Sequence, residues 1–131
     1  MKKETDELNE KILESARSEF LAYGYQDASL RRICREAGLT TGALYKRYEG
    51  KDSLFTALLE PTLTDLDQYG QEQKRRDYAF LEEGHLSDMW AHRLEDLQSL
   101  MRILYGHKDI MQLLLFKSQG SSQADFRTRL P

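Results

Sequence analysis

One cysteine, Cys34, among 131 residues leaves no partner for an internal disulfide and fits a reducing cytoplasm. There is no run of 18 consecutive apolar residues, so no membrane-spanning helix is expected. The opening MKKETDELNEK has two lysines with no apolar stretch behind them, which is not the pattern of a signal peptide. Spacings that carry chemistry are missing too. His85 and His92 lie seven apart, on one helix face, but no Glu or Cys joins them at metal-ligand spacing. No glycine-flanked serine elbow, no Cys-His pair with an orienting residue and no glycine-rich phosphate loop occurs. Neither a metal nor a cofactor is expected, and the chain is not expected to be an enzyme. Internal repeats and low-complexity stretches are also absent.

What is present is a globular composition, 40% hydrophobic and 31% charged with a formal net charge of −3, enough for one domain or two small ones. The charge is unevenly spread. Between Ser29 and Lys51 stand six cations (Arg31, Arg32, Arg35, Lys46, Arg47, Lys51) and two acids (Glu36, Glu49), a local excess of +4. A basic island in an acidic chain is the footprint of a surface that neutralises phosphates, because counterion release supplies much of the affinity for nucleic acid. An ordinary solvated charge face has the same composition, so charge alone decides nothing.

Pattern adds to charge in the same stretch. Leu30, Ile33, Cys34 and Ala37 recur at helical spacing, Gly38 stops that run, and Thr40 or Thr41 caps a second run through Tyr48. This is a helix-turn-helix pattern, whose second helix is offered to the DNA major groove. No acid occurs between Thr40 and Tyr48. Thr40, Thr41, Gly42, Ala43, Tyr45, Lys46 and Arg47 are the exposed candidates for DNA contact, while Leu44 and Tyr48, four apart, pack inward. Plainer roles exist for each: the threonines cap, Gly42 permits close approach, Tyr45 half-packs. Threonine, tyrosine, lysine and arginine are nevertheless donors suited to phosphates and base edges. Cys34, on the apolar face of its helix, is read as a packing residue rather than a reactive thiol.

Upstream, Leu8, Ile12, Ala16 and Phe20 recur every four residues with Leu13 alongside, predicting an amphipathic helix from Thr5 or Asp6 to Tyr23-Gly24-Tyr25. The loop Gln26-Asp27-Ala28 leads to Ser29, whose hydroxyl is placed to cap the next helix. Downstream, a helix begins between Gly50 and Ser53, with Leu54, Phe55, Leu58, Leu59, Leu63, Leu66 and Tyr69 on one face. Pro61 lies inside it and predicts a bend or a break into two pieces.

The segment Ile12 to Leu59, ILESARSEFLAYGYQDASLRRICREAGLTTGALYKRYEGKDSLFTALL, resembles the DNA-binding region of the tetracycline-repressor (TetR) family of bacterial transcription regulators. The resemblance rests on a succession at fixed spacing. A first helix ends in Phe20 and Gly24-Tyr25, and a Ser29 cap and the Ile33 to Ala37-Gly38-Leu39 turn follow. Then come Gly42-Ala43-Leu44-Tyr45, and Lys51 with Leu54-Phe55 opening the fourth helix. It implies that Ser29 and Lys51 also touch phosphates, that the fourth helix links a DNA-binding head to a regulatory body, and that an effector pocket lies among the later helices.

Those later helices are patterned but less telling. Gly70 to Asp77 is polar; then Leu86, Trp90, Leu94, Leu97, Met101 and Leu104 alternate steps of four and three, the spacing of a buried seam. After Tyr105-Gly106-His107, a helix from Asp109 carries Ile110, Met111, Leu113, Leu114, Leu115 and Phe116, apolar almost all round and expected at the centre of the core. A further helix is expected from Ala124. Met89, Trp90, Met101, Tyr105, Met111 and Phe116 are candidates to line the effector pocket, although such stripes usually serve as core. Family members are typically longer, with two more C-terminal helices that pair between subunits, so either the chain is a truncated form or its dimer contact is built differently.

The expectation is therefore an all-α protein. Residues 1–52 form a three-helix helix-turn-helix DNA-binding head, joined by a connecting helix to a shortened helical ligand-binding and dimerisation domain, residues 53–131. The expected function is a cytoplasmic, ligand-responsive repressor that reads a palindromic double-stranded DNA operator as a homodimer and answers to a small-molecule effector, with no membrane partner. A shortened interaction module that pairs with a full-length regulator and modulates its DNA binding is the alternative.

Overall fold

The computed structural model describes residues 2–84 and 86–126, so His85 and the residues after Phe126 lie outside it. Among the described residues there are six helices and no strand: α1 (Lys2–Asp27), α2 (Leu30–Ala37), α3 (Thr41–Tyr45), α4 (Lys51–Glu83), α5 (Leu86–Gly106) and α6 (Lys108–Phe116). The all-α class is as the periodicity predicts. The chain packs as two compact units, Met1–Glu60 with Asp109–Pro131 and, separately, Pro61–Lys108. These are units of packing, distinct from the functional division expected from the sequence at residues 1–52 and 53–131.

In the first unit, Ile12, Ala16 and Phe20 of α1 are fully buried, four apart on one stripe. The helix begins at Lys2, about a turn earlier than expected. Gly24 interrupts it with φ 77° and ψ 171°, a conformation in which only glycine is comfortable. The break frees the Tyr25 N–H to donate to the Lys117 carbonyl at 3.0 Å. Phe20, Tyr25 and Phe55 pack edge-on and stacked, with Phe20 and Phe55 centroids 4.8 Å apart. Ile33, Cys34, Leu44, Leu54, Leu59, Leu113 and Leu114 complete this core.

Three expectations need correction. Rather than reaching Tyr48, α3 ends at Tyr45. The N–H groups of Arg47 and Tyr48 both donate to the Leu44 carbonyl, at 2.9 and 3.0 Å, and that tightened turn closes the helix. Neither Pro61 nor the polar stretch from Gly70 divides α4, which runs unbroken for 33 residues, so of the bend or break expected at Pro61 the break does not occur. Proline removes one backbone donor there, and the buried Leu59 and Thr62 on either side hold the helix through the gap. Within α6 only Leu113 and Leu114 are buried, while Phe116 is exposed. Residues 118–125 are loop and turn and Phe126 is helical, while the rest of the helix expected from Ala124 lies outside the described residues. One of those turns is tied down by the Ser122 N–H, which donates to Asp52 Oδ1 at 2.8 Å in the first turn of α4.

The second unit is an antiparallel pair, the distal part of α4 and α5, joined through Gly84 at φ +73°. Hydrogen bonds, ion pairs and a ring contact join its helices, with Phe80 of α4 stacked on His92 of α5 at 5.4 Å between centroids. Tyr69 donates its hydroxyl to the Asp96 carbonyl at 2.9 Å, Arg76 pairs with the Asp96 carboxylate at 2.9 Å, and Arg93 faces Asp77 at 3.5 Å. Farther along, the His107 ring lies between Thr62 Oγ1 and Asp65 Oδ2, each at 2.9 Å. The seam expected on α5 is not buried: Trp90, Leu94, Leu97 and Met101 are exposed and Leu104 is half-buried, while the Leu86 side chain is not described. Helical spacing marks a stripe for burial only if something packs on it, and in this unit α5 has one neighbour, which meets its other face.

Candidate nucleic-acid interface

Short helices need caps, and α2 and α3 have them. Ser29 Oγ accepts from the Arg32 N–H at 3.3 Å, and Thr40 Oγ1 accepts from the Ala43 N–H at 3.1 Å. Between them Gly38 takes the left-handed conformation, φ 75° and ψ 34°, and its N–H closes α2 onto the Arg35 carbonyl. The turn that aims α3 is thus set by backbone chemistry at three residues.

Burial then divides α3 and its closing turn into two faces. Leu44 is 1% exposed and anchors the inner side. Tyr48 is half-buried and its hydroxyl donates to Asn9 Oδ1 of α1, which locks the chain after the recognition segment to the first helix. Outward stand Thr40, Thr41, Gly42, Tyr45, Lys46 and Arg47, all exposed, with Ala43 half-buried. Tyr45 is 54% exposed. The structure therefore presents one face of hydroxyls, cations and a glycine with no carboxylate between Thr40 and Tyr48.

The two residues at helix starts have visible protein partners. Ser29 is half-buried; besides capping, its N–H donates to Glu19 Oε2 at 2.8 Å. Lys51 is half-buried with its ammonium on the Tyr25 and Gln26 carbonyls at 3.0 and 3.1 Å, and 5.1 Å from the Tyr25 ring centroid. An ammonium has three donors, so two carbonyls leave one for another acceptor.

Glu19 was not singled out from the sequence, yet it braces this site. Its carboxylate, 8% exposed, takes the Ser29 N–H and the Arg32 guanidinium, and Arg32 in turn lies 4.3 Å over the Tyr23 ring. The signal was available: Glu19 stands three residues after Ala16 and one before Phe20, so an acid falls on the buried stripe of α1, where it requires partners. Ser15 on the same helix donates to the Ile33 carbonyl at 2.8 Å. Burial pushes the Cys34 thiol up from its ordinary range, which makes it a packing group and an unreactive one.

The six candidate effector residues are distributed over both units. Met89, Trp90, Met101 and Tyr105 stand on α5 in the second; Met111 and Phe116 stand on α6 in the first. Met101 and Tyr105, with Leu97, line a shallow open groove of about 740 Å³. Met89 and Met111 are half-buried; Trp90, Met101, Tyr105 and Phe116 are exposed. Among the described residues no cluster of His, Cys, Asp and Glu suits a metal ion, and no helix is long and apolar enough to cross a membrane.

Comparison with known proteins bears on the same stretch. The family model for bacterial regulatory proteins of the tetR family matches residues 12–58. The HTH-type transcriptional regulator SrpR of Pseudomonas putida is 39% identical over 56 residues, 43% of this chain and 26% of SrpR. YdgC of Bacillus subtilis (strain 168), an HTH-type transcriptional regulator, is 24% identical over 124 residues, 94% of this chain and 60% of YdgC. NalD, the secondary repressor of the MexAB-OprM multidrug efflux pump in Pseudomonas aeruginosa, has a crystal structure similar at TM-score 0.58 and 25% identity, covering 95% of this chain and 60% of NalD. The chain thus spans 26% to 60% of the length of these relatives. All three are named as transcriptional regulators or repressors, and residues 12–58 of the chain are similar to the DNA-binding segment of the tetR family of bacterial regulatory proteins.

Proposed function

We propose that the chain is a cytoplasmic DNA-binding transcriptional regulator, a repressor that reads a palindromic operator as a homodimer and releases it when a small-molecule effector binds. The observation that carries this reading is the outward face of Thr40, Thr41, Gly42, Tyr45, Lys46 and Arg47, free of acids and held at a fixed angle by Leu44, Tyr48 and the two caps. Tyr45 and Lys46 meet base edges and adjoining phosphates. Ser29 and Lys51 hold the backbone, each at the start of a helix whose N-terminal dipole favours an anion. Residues 1–52 act as the head and 53–131 as the part that dimerises and takes the effector. Met89, Trp90, Met101 and Tyr105, all on α5, supply its apolar contacts. The groove along Leu97, Met101 and Tyr105 is open, so it encloses a ligand only once a second surface covers it. Effector and operator then favour different spacings of the paired heads, and α4, continuous from Lys51 into the second unit, carries the difference.

The contacts are separable by experiment. Lys51→Ala is expected to weaken binding to all duplexes alike and to lower the slope of log affinity against log salt by about one unit, whereas Tyr45→Ala and Lys46→Ala also change which base pairs are preferred. Lys51→Ala also removes bonds to the Tyr25 and Gln26 carbonyls, so affinity is compared well below the melting temperature of each variant. An unchanged affinity and salt slope in Lys51→Ala contradict the docking. The exposed apolar stripe of α5 favours a second reading, in which the chain pairs with a longer relative and modulates its DNA binding. A duplex shifted by the chain alone decides for the first.

A further inference from the structure

Ser29 is committed on three sides. Its N–H donates to Glu19 Oε2 at 2.8 Å, its carbonyl accepts from the Ile33 N–H at 3.1 Å, and its Oγ accepts from the Arg32 N–H at 3.3 Å. Among the described residues its hydroxyl proton has no acceptor, so that proton is the one donor Ser29 has left. Glu19 and Arg32 close a ring around it. The Arg32 guanidinium sets Nε and a terminal nitrogen on the same Glu19 oxygen, each at 2.8 Å. It also rests 4.3 Å over the Tyr23 ring and donates to the Asp27 carbonyl at 3.3 Å. Both the backbone and the side chain of Arg32 are thus spent inside the protein. Glu19, at 8% exposure, needs that partner, because a buried charge is tolerated only where it is paired and hydrogen-bonded. Arg31 and Arg35 on the same helix differ: both are exposed, with no ion-pair partner among the described residues. The excess of +4 counted between Ser29 and Lys51 therefore includes one cation, Arg32, that an acid outside the stretch already neutralises.

We infer that Glu19 and Arg32 are positioning residues for the contact of Ser29 with the DNA backbone: Glu19 fixes the serine, Arg32 neutralises Glu19, and neither meets DNA itself. This rests on the Ser29 contact proposed above and names what holds it. The Glu19 bond fixes the backbone from which the hydroxyl springs, and the Arg32 N–H occupies one side of Oγ, so the proton is restricted to the directions left open. A donor held before DNA arrives has less rotamer freedom to lose on binding. Charge is the second part. A carboxylate without its cation at the start of α2 repels a phosphate placed there and opposes the helix dipole that favours it. Arg32 cancels that charge from inside the protein. It is kept there by the Tyr23 ring and the Asp27 carbonyl, and so exchanges no counterion when DNA binds.

Affinity against salt for the duplex enriched from a random pool, measured well below the melting temperature of each variant, tests this inference. Arg32→Gln is expected to bind about tenfold more weakly, because it strands a buried carboxylate. Its slope of log affinity against log salt stays unchanged, unlike the loss of about one unit expected of Lys51→Ala. Glu19→Gln/Arg32→Gln removes both charges and keeps an acceptor for the Ser29 N–H, so it is expected to return to within about threefold of the unaltered chain. Ser29→Ala also weakens binding, and adding Arg32→Gln to it costs little more, because both act on one contact. A slope lower by about one unit in Arg32→Gln, with no recovery in the double variant, makes Arg32 a phosphate contact and overturns the inference. Affinity of the folded chain unmoved by Arg32→Gln or by Ser29→Ala overturns it too and leaves the pair a structural one. Should Arg32→Gln not fold, the slope of the Glu19→Gln/Arg32→Gln variant decides, unchanged for a positioning pair and lower by about one unit for a phosphate contact. A pool that yields no enriched duplex overturns the DNA reading itself, and this inference with it.

Discussion

Leu44 is 1% exposed and its neighbour Tyr45 is 54% exposed, so one step along α3 crosses from the core to the outward face proposed to read DNA. Leu44→Ala leaves a cavity under α3 and is expected to cost about 2–5 kcal/mol in denaturant unfolding, while Tyr45→Ala stays within about 0.5 kcal/mol. The tyrosines supply a second test. Burial raises the phenol pKa of Tyr25, Tyr48 and Tyr69, with Asp52 adding to it at Tyr25 and Asp96 at Tyr69. The folded chain therefore holds these protons to higher pH than the unfolded chain does. Their contribution is intact below about pH 10, the ordinary tyrosine value, and is lost as pH rises through the raised folded values. Unfolding free energy measured across that range is expected to fall; a flat profile contradicts their burial. Much at this scale was legible beforehand. Leu44 and Tyr48 packing inward, Ser29 and Thr40 capping and Cys34 in the core follow from helical spacing and hydroxyl chemistry. The Glu19 brace was missed because an acid in a charged helix reads as solvated until its neighbours on the stripe are considered.

At the scale of elements, glycine does two different jobs. Gly38 sits at φ +75° with open space where a Cβ would go, so Gly38→Ala meets no clash and pays only the left-handed backbone penalty, about 1–2 kcal/mol. Gly42 lies inside α3, where a Cβ would approach only Thr40 Oγ1, at 4.0 Å. Gly42→Ala is expected to keep or raise the melting temperature while weakening DNA binding, because the added methyl meets the DNA and nothing in the protein. Equal losses of folding and binding contradict that assignment. The ends of α1 and α2 and the start of α3 were readable because glycines and hydroxyls act within a few residues of themselves. The length of α4 was not. Proline and a polar stretch argue locally for a stop, yet the residues on either side are held by contacts far along the chain.

For the whole molecule, the periodicity of α5 marks an apolar stripe, but spacing alone does not reveal whether anything covers it. The seam expected to lie inside is outside, and the fold joins a compact head to a helix pair without an apolar core of its own. DNA recognition of the proposed kind needs two heads, because paired half-sites lie about one helical turn apart and a single head binds weakly. Reading and pairing are therefore one claim at this scale. Selection of bound duplexes from a random pool, followed by affinity against salt for the enriched sequence, tests it directly. A palindrome of two half-sites with affinity falling steeply in salt is the predicted result. Weak, sequence-blind binding contradicts it.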